Sequence, residues 1–152
     1  MEQVLPWDLL ALAVPALGYL GIGLFVALRP STIGRQPIEQ TSADDGLDFR
    51  EVSFESTDGL KLKGWWAPGD GSTKAVVLVH GLEGNKSDQH VLKTASVYQG
   101  AGYSVLMLGL RGNGESGGGR TTIGYQEVWD AQGAHFWLEE RNFGPNEVVL
   151  HS

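Results

Sequence analysis

The stretch Lys74–Gly84, KAVVLVHGLEG, decides the fold. Within it, Ala75–Val79 is an unbroken apolar run rich in β-branched residues, which predicts a strand buried on both faces, as in a parallel sheet between helices. The run ends at His80-Gly81, and a glycine-containing loop follows. Because ligands of open α/β sheets bind beyond the carboxyl ends of the strands, we expect part of any active site at His80–Gly84.

Downstream of this stretch, buried strands alternate with helices. The segment Tyr103–Leu110 predicts a second buried strand, and Glu147–Leu150 begins a third. Apolar residues at helical spacing predict a helix from Ser87 to Gln99, capped by its first residue, and a second helix over Tyr125–Arg141 that is well covered by its neighbours. A long glycine-rich loop, Arg111–Thr122, lies between the second strand and the second helix.

Upstream of this stretch, the pattern predicts a β-hairpin. Val52 and Phe54 alternate with polar residues, and Leu62 and Trp66 continue the alternation in a return strand. Asp58-Gly59 between them suits the positive φ angles of a tight turn. The order of elements therefore predicts an α/β fold, in which an antiparallel hairpin lies at one edge of the sheet and crossover helices join the parallel strands.

The N-terminal part of the chain predicts a membrane anchor. Leu9–Leu28 carries no charged residue, and about 20 helical residues cross the roughly 30 Å hydrocarbon core of a bilayer. We interpret residues 1–8 as a short tail, 9–28 as a transmembrane helix, 29–48 as a linker and 49–152 as the soluble domain.

Two alternatives exist for the apolar segment, a cleaved signal peptide and a buried core helix. A signal peptide favours basic residues before its apolar region, whereas this chain has Glu2 and Asp8 there. Arg29 and Arg35 follow the segment, so the positive-inside rule slightly favours a cytoplasmic soluble domain on a single-pass membrane protein.

Composition excludes several classes of site. The formal net charge of −7 offers no electrostatic footprint for nucleic acid. The absence of cysteine excludes disulfides, thiolate metal sites and a cysteine nucleophile. We therefore expect no nucleic-acid partner.

Four segments resemble the α/β-hydrolase superfamily: VVLVHGLEGN at 76–85, GYSVLMLGLRGNGESGG at 102–118, GYQEVWDA at 124–131 and EVSFESTDGLKLKGWWAP at 51–68. The most similar branch contains membrane-anchored hydrolases grouped with serine aminopeptidases and lysophospholipase-like proteins. The resemblance covers about residues 50–152 and implies the N-terminal half of an α/β-hydrolase fold behind the transmembrane helix.

The resemblance also implies roles for five residues. The backbone N–H of Leu82 would hold the oxyanion of an acyl-transfer reaction. His80 and Gly81 would support that loop, Gly81 by allowing a sharp turn and a close approach of substrate. Arg111 and Gly112 would support the neighbouring glycine-rich loop. As an alternative, His80 would be a catalytic base, although the base of this superfamily lies much later in the chain.

Three other patterns lie near the glycine-rich loop. The superfamily has an aspartate where this chain has Gly109, so we expect weaker support for Arg111. Gly112–Gly117 matches G-x-G-x-x-G, but no helix opens at its glycines, which disfavours a dinucleotide site. Glu127 and Asp130 fit first-turn acids that stabilise a helix N-terminus; the alternative, a metal site, lacks a nearby histidine, and we expect neither metal nor cofactor.

The nucleophile of this superfamily sits on a G-x-S-x-G elbow after the strand that here begins at Glu147. In the register we favour, Ser152 occupies the first glycine position and the nucleophile would follow two residues later. The alternative register makes Ser152 the nucleophile and places Leu150 where the turn requires glycine. The acid and the base would also follow later. No motif places the other histidines as a replacement base: His90, His135 and His151.

We therefore expect an N-terminal fragment of a membrane-anchored serine hydrolase, itself inactive. The intact protein would hydrolyse ester or amide bonds of a small-molecule, lipid or peptide substrate through an acyl-enzyme. The alternative is a non-catalytic, membrane-tethered half-domain that binds a partner.

Overall fold

The computed structural model of the protein describes residues 6–28, 35, 38, 48–82 and 84–152. The chain divides into two compact units, Met1–Ile33 and Gly34–Ser152.

The first unit contains helix α1 (Pro6–Leu28), which includes the predicted apolar segment and passes through Pro15. Its portion Leu9–Leu28 has a mean hydropathy of 2.2 over 20 residues, and its side chains are exposed. The helix is therefore long and apolar enough to cross a membrane, a property that signal sequences share.

The second unit is a five-stranded mixed sheet with one helix on each face. Its elements in chain order are β1 (Arg50–Glu55), β2 (Lys61–Ala67), β3 (Ala75–Val79), α2 (Gln89–Gly100), β4 (Ser104–Gly109), α3 (Glu127–Glu139) and β5 (Val148–His151). The strand order across the sheet is β1-β2-β4-β3-β5. Strands β1, β2 and β4 are antiparallel neighbours, while β3 is parallel to β4 and to β5. The predicted hairpin at one edge and the predicted parallel strands are both confirmed.

The two central parallel strands are buried on both faces, as their apolar runs predict. Alternate residues of β3 face opposite helices, since Val76 and Leu78 belong to the core cluster that contains α2. Ala75 and Val77 belong to the cluster that contains α3. All six residues of β4 are buried, which explains why the sequence there has no polar alternation.

The predicted cap of α2 is wrong. This helix begins at Gln89, and the residue before it, Asp88, makes no side-chain capping bond. Ser87 is buried, and its backbone N–H and its hydroxyl both donate to Oδ1 of Asn85, at 2.7 and 2.6 Å. Because the preceding turn already uses the Ser87 side chain, it does not cap the helix.

Helix α3 is covered on one side only, contrary to the expectation from sequence. Ala134 and Leu138 are fully buried against the sheet. Val128 and Phe136 are 52% and 54% exposed, and Tyr125, just before the helix, is 77% exposed. Within the described residues, no element packs on this side, so the helix has one covered stripe and one open one.

Candidate active site at the carboxyl edge of the sheet

The three parallel strands end together at one edge. Val79, the last residue of β3, is opposite Leu108 in β4, and Leu78 is opposite His151 in β5. The loop after β3, the glycine-rich loop after β4 and Ser152 after β5 therefore begin at the same edge of the sheet. This edge collects the residues that the sequence predicts for the site, because the carboxyl ends of parallel strands meet there.

His80 joins the first two of these loops. Its side chain is buried, its Nδ1–H donates to the carbonyl oxygen of Gly81 at 2.9 Å, and its Nε2 accepts the backbone N–H of Leu110 at 3.4 Å. Nδ1 carries the proton because Nε2 is the acceptor. Burial lowers the pKa of the His80 ring, so the ring is neutral at pH 7 and both of its nitrogens are engaged.

Leu82 lies in a turn that the backbone N–H of Gly84 closes by donating to the carbonyl oxygen of Gly81 at 3.1 Å. Its side chain is 55% exposed. Among the residues that the structure describes, the Leu82 N–H has no acceptor. An N–H group without a protein acceptor at this edge is available to an oxyanion.

Gly81 differs in one respect from the expectation. It is not among the glycines with positive φ, so the turn does not need glycine for its conformation. A Cβ added there would meet no atom within 4 Å. The space in front of Gly81 is open, and the close approach of a substrate to this backbone stays a prediction.

The glycine-rich loop folds back on itself. The Gly112 N–H donates to the carbonyl oxygen of Gly117 at 2.8 Å. Gly112 has a φ of +74°, and a Cβ there would lie 2.9 Å from the carbonyl carbon of Arg120. Ser116 is buried, and its hydroxyl donates to the carbonyl oxygen of Gly109 at 2.6 Å. These contacts require glycine at position 112 for both conformation and space.

Gly109 does not weaken the support of Arg111, contrary to the expectation from sequence. A Cβ at position 109 would lie 2.6 Å from the carbonyl oxygen of Lys63, so this arrangement has no room for an aspartate. Arg111 is instead held by Asp130 and Asp58, which come from α3 and from the hairpin turn. Carboxylates that are distant in sequence thus replace the missing local one.

Arg111 and Asp130 form a buried ion pair. Oδ2 of Asp130 accepts the backbone N–H of Arg111 at 2.8 Å, and Oδ1 accepts Nε and Nη2 at 3.0 and 2.7 Å. Burial raises the pKa of the Asp130 carboxyl, and the bonds from Arg111 oppose that rise. Asp130 is an acid in the first turn of α3, as predicted, but both of its carboxylate oxygens bind Arg111, a partner that the sequence did not predict.

Asp58 completes the pairing from the exposed side. Its two carboxylate oxygens accept Nη1 and Nη2 of Arg111 at 3.0 and 2.9 Å. These bonds, together with one from the Ser56 hydroxyl, lower the pKa of Asp58 to about 2. Burial opposes the positive charge of Arg111, but the bonds to Asp130 and Asp58 raise its pKa overall.

Glu127 holds the end of the glycine-rich loop. Its carboxylate accepts the hydroxyl of Thr121 at 2.9 Å, the backbone N–H and hydroxyl of Thr122 at 2.6 and 2.7 Å, and the backbone N–H of Gly124 at 2.8 Å. Burial opposes the negative charge, but these bonds lower the Glu127 pKa overall. In the part of the chain that the structure describes, no group of three or more acidic or histidine side chains could hold a metal ion.

Lys86 is a buried residue that sequence reasoning missed. Its side chain is 2% exposed, and Nζ lies 3.2 Å from Oε2 of Glu115. The same Nζ lies 5.1 Å from the centroid of the Trp65 ring. Burial lowers the pKa of Lys86. No sequence signal distinguishes this lysine, because a loop lysine is normally exposed.

His90 is exposed, and the other two remaining histidines have partners of other kinds. Nδ1 of His151 lies 2.9 Å from the Tyr98 hydroxyl, and Nε2 of His135 lies 3.3 Å from a carboxylate oxygen of Glu139. Across the described residues, no serine hydroxyl is hydrogen-bonded to a histidine. Among the described residues, the edge therefore offers a backbone N–H without an acceptor, at Leu82, and loops that are held by side-chain contacts.

The sequence comparisons find relatives that are longer than this chain. No protein-family model matches the sequence. It is 36% identical over 91 residues to Rv2307c, an uncharacterized protein of Mycobacterium tuberculosis. The matched segment covers 59% of this chain and 31% of the relative. It is also 36% identical over 78 residues to the thiohydrolase aneE of Aspergillus aculeatus. That matched segment covers 51% of this chain and 24% of the relative. The chain thus spans less than a third of either relative.

The structural comparisons find hydrolases. The fold is similar to that of the esterase Pf2001 of Pyrococcus furiosus, with a TM-score of 0.67 and 28% identity, over 76% of this chain and 46% of the esterase chain. It is also similar to the α/β hydrolase GrgF of Penicillium sp. sh18, with a TM-score of 0.62 and 28% identity, over 68% of this chain and 37% of that chain. In both cases less than half of the solved chain is matched.

Proposed function

Because this chain carries the N-terminal part of an α/β-hydrolase fold, we propose that it supplies the oxyanion half of a serine hydrolase active site. The substrate is an acyl compound, an ester or a thioester, and the reaction passes through an acyl-enzyme. Two of its neighbours are an esterase and a thiohydrolase, and both reactions develop negative charge on a carbonyl oxygen.

One observation carries this proposal. The parallel pairing of β3 with β5 puts Leu78 opposite His151, so the turn that contains Leu82 and the residue Ser152 follow neighbouring strands at the same edge of the sheet. An acyl-transfer site needs an N–H donor and a nucleophile on either side of one carbonyl group. The Leu82 N–H has no acceptor among the described residues, which supports it as the donor.

The chemistry divides between this chain and the segment that would follow Ser152 in a longer protein. A serine two residues beyond Ser152 attacks the carbonyl carbon, and a histidine further on takes its proton. The Leu82 N–H stabilises the negative charge that develops on the carbonyl oxygen. His80 fixes the turn that carries this N–H.

A serine-reactive fluorophosphonate probe tests the position of the nucleophile. We expect no labelling of the 152-residue chain and one label on a longer protein whose reading frame continues with S-x-G. Labelling of the 152-residue chain that is lost in Ser152→Ala would make Ser152 the nucleophile and refute the register.

A pair of substitutions in the longer protein tests the oxyanion role. Leu82→Pro removes the N–H, and Leu82→Ala keeps it while removing the same exposed side chain. Loss of one oxyanion donor lowers kcat by about 100- to 1,000-fold, so we expect that loss in Leu82→Pro and a change of less than about tenfold in Leu82→Ala. Equal kcat values in the two variants would refute the role, provided that both keep the circular dichroism spectrum of the parent.

We further propose that α1 anchors the domain in a membrane, with the domain on the cytoplasmic side. The chain has no cysteine, so single cysteines report topology without background. In intact spheroplasts, an impermeant maleimide should modify Gln3→Cys and leave Thr73→Cys unmodified until detergent is added. The opposite pattern would refute the orientation, and release of the protein by alkaline carbonate would refute the anchor.

An apolar groove favours a second candidate function, a tethered half-domain that binds a partner. The groove has a volume of about 570 Å³ and lies between α3 and β5, with Val128, Phe136 and Leu150 among its lining residues. The fluorophosphonate experiment distinguishes the two functions, because a longer protein that acts only by binding would take no label.

A further inference from the structure

Arg35 precedes the first strand and contacts the glycine-rich loop. Its Nη1 donates to the carbonyl oxygens of Gly114 and Ser116, the latter at 2.8 Å, and its Nη2 donates to that of Gly118 at 3.0 Å. These three acceptors lie within five consecutive residues of one loop. In the contacts that the structure describes, the Arg35 guanidinium is thus bound by backbone carbonyls and not by a carboxylate.

Ile38 strengthens this contact from the same segment. It is half-buried and packs against the core cluster on the α2 side of the sheet. Its Cδ1 lies 3.5 Å from the position that a Cβ of Gly114 would occupy. A cation and an apolar side chain three residues apart therefore both hold the loop at Gly114.

The contacts with Arg35 and Ile38 stabilise a loop that is entropically costly to order. Gly114 and Gly118 have φ angles of +50° and +87°, and glycine loses more conformational freedom on ordering than any other residue. Carbonyls that converge on one point repel each other unless a donor lies between them. The planar guanidinium supplies several donors in a fixed geometry, which lysine does not.

The same loop contacts the loop that carries Leu82. Glu115, between two of the Arg35 acceptors, pairs with the buried Lys86 at 3.2 Å. Asn85, Lys86, Asn113 and Glu115 line one narrow gap between the two loops. A change in the conformation of the glycine-rich loop therefore reaches Lys86 through a direct ion pair.

We propose that Arg35 is a positioning residue: it fixes the conformation of the glycine-rich loop and, through Glu115 and Lys86, that of the loop after β3. The effect on loop order stands independently of the proposed reaction. The consequence for Leu82 as an oxyanion donor rests on the proposed function. Arg35 and Ile38 are thereby the two described residues upstream of the first strand that hold this loop.

Hydrogen–deuterium exchange of the full 152-residue chain in mild detergent tests this proposal. We expect peptides that cover 110–119 and 80–88 to exchange about tenfold faster or more in Arg35→Gln than in the parent, because local opening no longer breaks these hydrogen bonds. Peptides of β4 should be unchanged. Arg35→Lys, which keeps the charge and loses the fork of donors, should fall between the two.

Arg50→Gln is the matched control, because it removes the same charge from an exposed position at the start of β1. Equal exchange at 110–119 in Arg35→Gln and Arg50→Gln would overturn the positioning role of Arg35. Faster exchange at 110–119 with unchanged exchange at 80–88 would overturn the coupling to the Leu82 loop. Neither result depends on catalytic activity. Failure of the proposed hydrolase function would appear separately, as absence of label in the fluorophosphonate experiment.

Discussion

Replacing Asp130 with asparagine should destabilise the domain strongly, although the side chain keeps its shape. Both carboxylate oxygens accept hydrogen bonds from Arg111, one from the backbone N–H and one from two guanidinium nitrogens. An asparagine amide must turn its NH₂ group toward one of these donors. In either orientation, a donor faces a donor in a site from which water is excluded, since Asp130 is fully buried.

The structure sets the size of this effect. Asparagine loses one or two charge-assisted hydrogen bonds, each contributing about 1.5–3 kcal/mol. Removing one partner of a buried ion pair costs about 3–5 kcal/mol. We therefore expect Asp130→Asn to lower the free energy of unfolding by about 3 kcal/mol, a large share of the roughly 5–15 kcal/mol that is typical of a domain.

Urea titration of the 152-residue chain in mild detergent measures this loss. Tryptophan fluorescence is a suitable signal, because the Trp129 ring centroid lies 5.5 Å from the Arg111 guanidinium carbon. With a slope of about 2 kcal/mol per molar urea, the midpoint should fall by about 1.5 M. Glu140→Gln is the control, since exposed Glu140 lies 3.9 Å from Nη1 of Arg141 and such surface pairs contribute about 1 kcal/mol or less.

Two results would refute this reasoning. One is a midpoint for Asp130→Asn that equals that of Glu140→Gln. The other concerns the double variant Arg111→Leu/Asp130→Leu, which removes both buried charges. If the cost comes from leaving one charge unpaired, the double variant should be more stable than Arg111→Leu or Asp130→Leu alone; equal or lower stability would contradict that origin.

Two further predictions concern packing and pH. Gly133→Ala places a Cβ 2.3 Å from the carbonyl oxygen of Glu55 and should lower the free energy of unfolding by about 1–3 kcal/mol through overpacking. In the control Gly100→Ala, the added Cβ meets no atom within 4 Å, so the melting temperature should stay that of the parent. Equal melting temperatures for the two variants would contradict this account. The Asp58 pKa of about 2 lies below its ordinary value of 3.8, so the stabilisation of the folded domain by the Asp58 carboxylate is present above about pH 4 and is lost as the pH falls through about 2. The difference in urea midpoint between the parent and Asp58→Asn should therefore shrink over that interval. A constant difference would contradict the assigned pairing.

The sheet was predictable because its central strands carry a signal that needs no tertiary information. The apolar runs of β3 and β4 have no polar alternation, and only a strand buried on both faces tolerates that pattern. Helix α3 shows the limit of such reasoning. Its sequence places apolar residues on two stripes, and periodicity does not reveal that Tyr125 and Phe136 are mostly exposed in the described part of the domain.

The candidate site was predictable only where its geometry is local. The meeting of the loops after β3 and β4 follows from parallel topology. The partners of Arg111 do not, because Asp130 is 19 residues away and Asp58 is 53 residues away along the chain. The absence of an aspartate at position 109 suggested weak support, whereas a fold that brings α3 and the hairpin turn to the same arginine supplies two carboxylates.

The buried polar contacts at this edge hold the loops through α3, the hairpin turn and the loops themselves. They leave the space beside the Leu82 turn open, since a Cβ at Gly81 would meet no atom within 4 Å. Arg111 and Glu127 hold the glycine-rich loop through side chains whose partners lie in α3, the hairpin turn or the loop itself. His80 and Lys86 then connect that loop to the one after β3. The described contacts leave the Leu82 N–H without an acceptor. A donor held in this way would need no reorganisation when charge develops on a substrate, which is what the proposed oxyanion role of Leu82 requires.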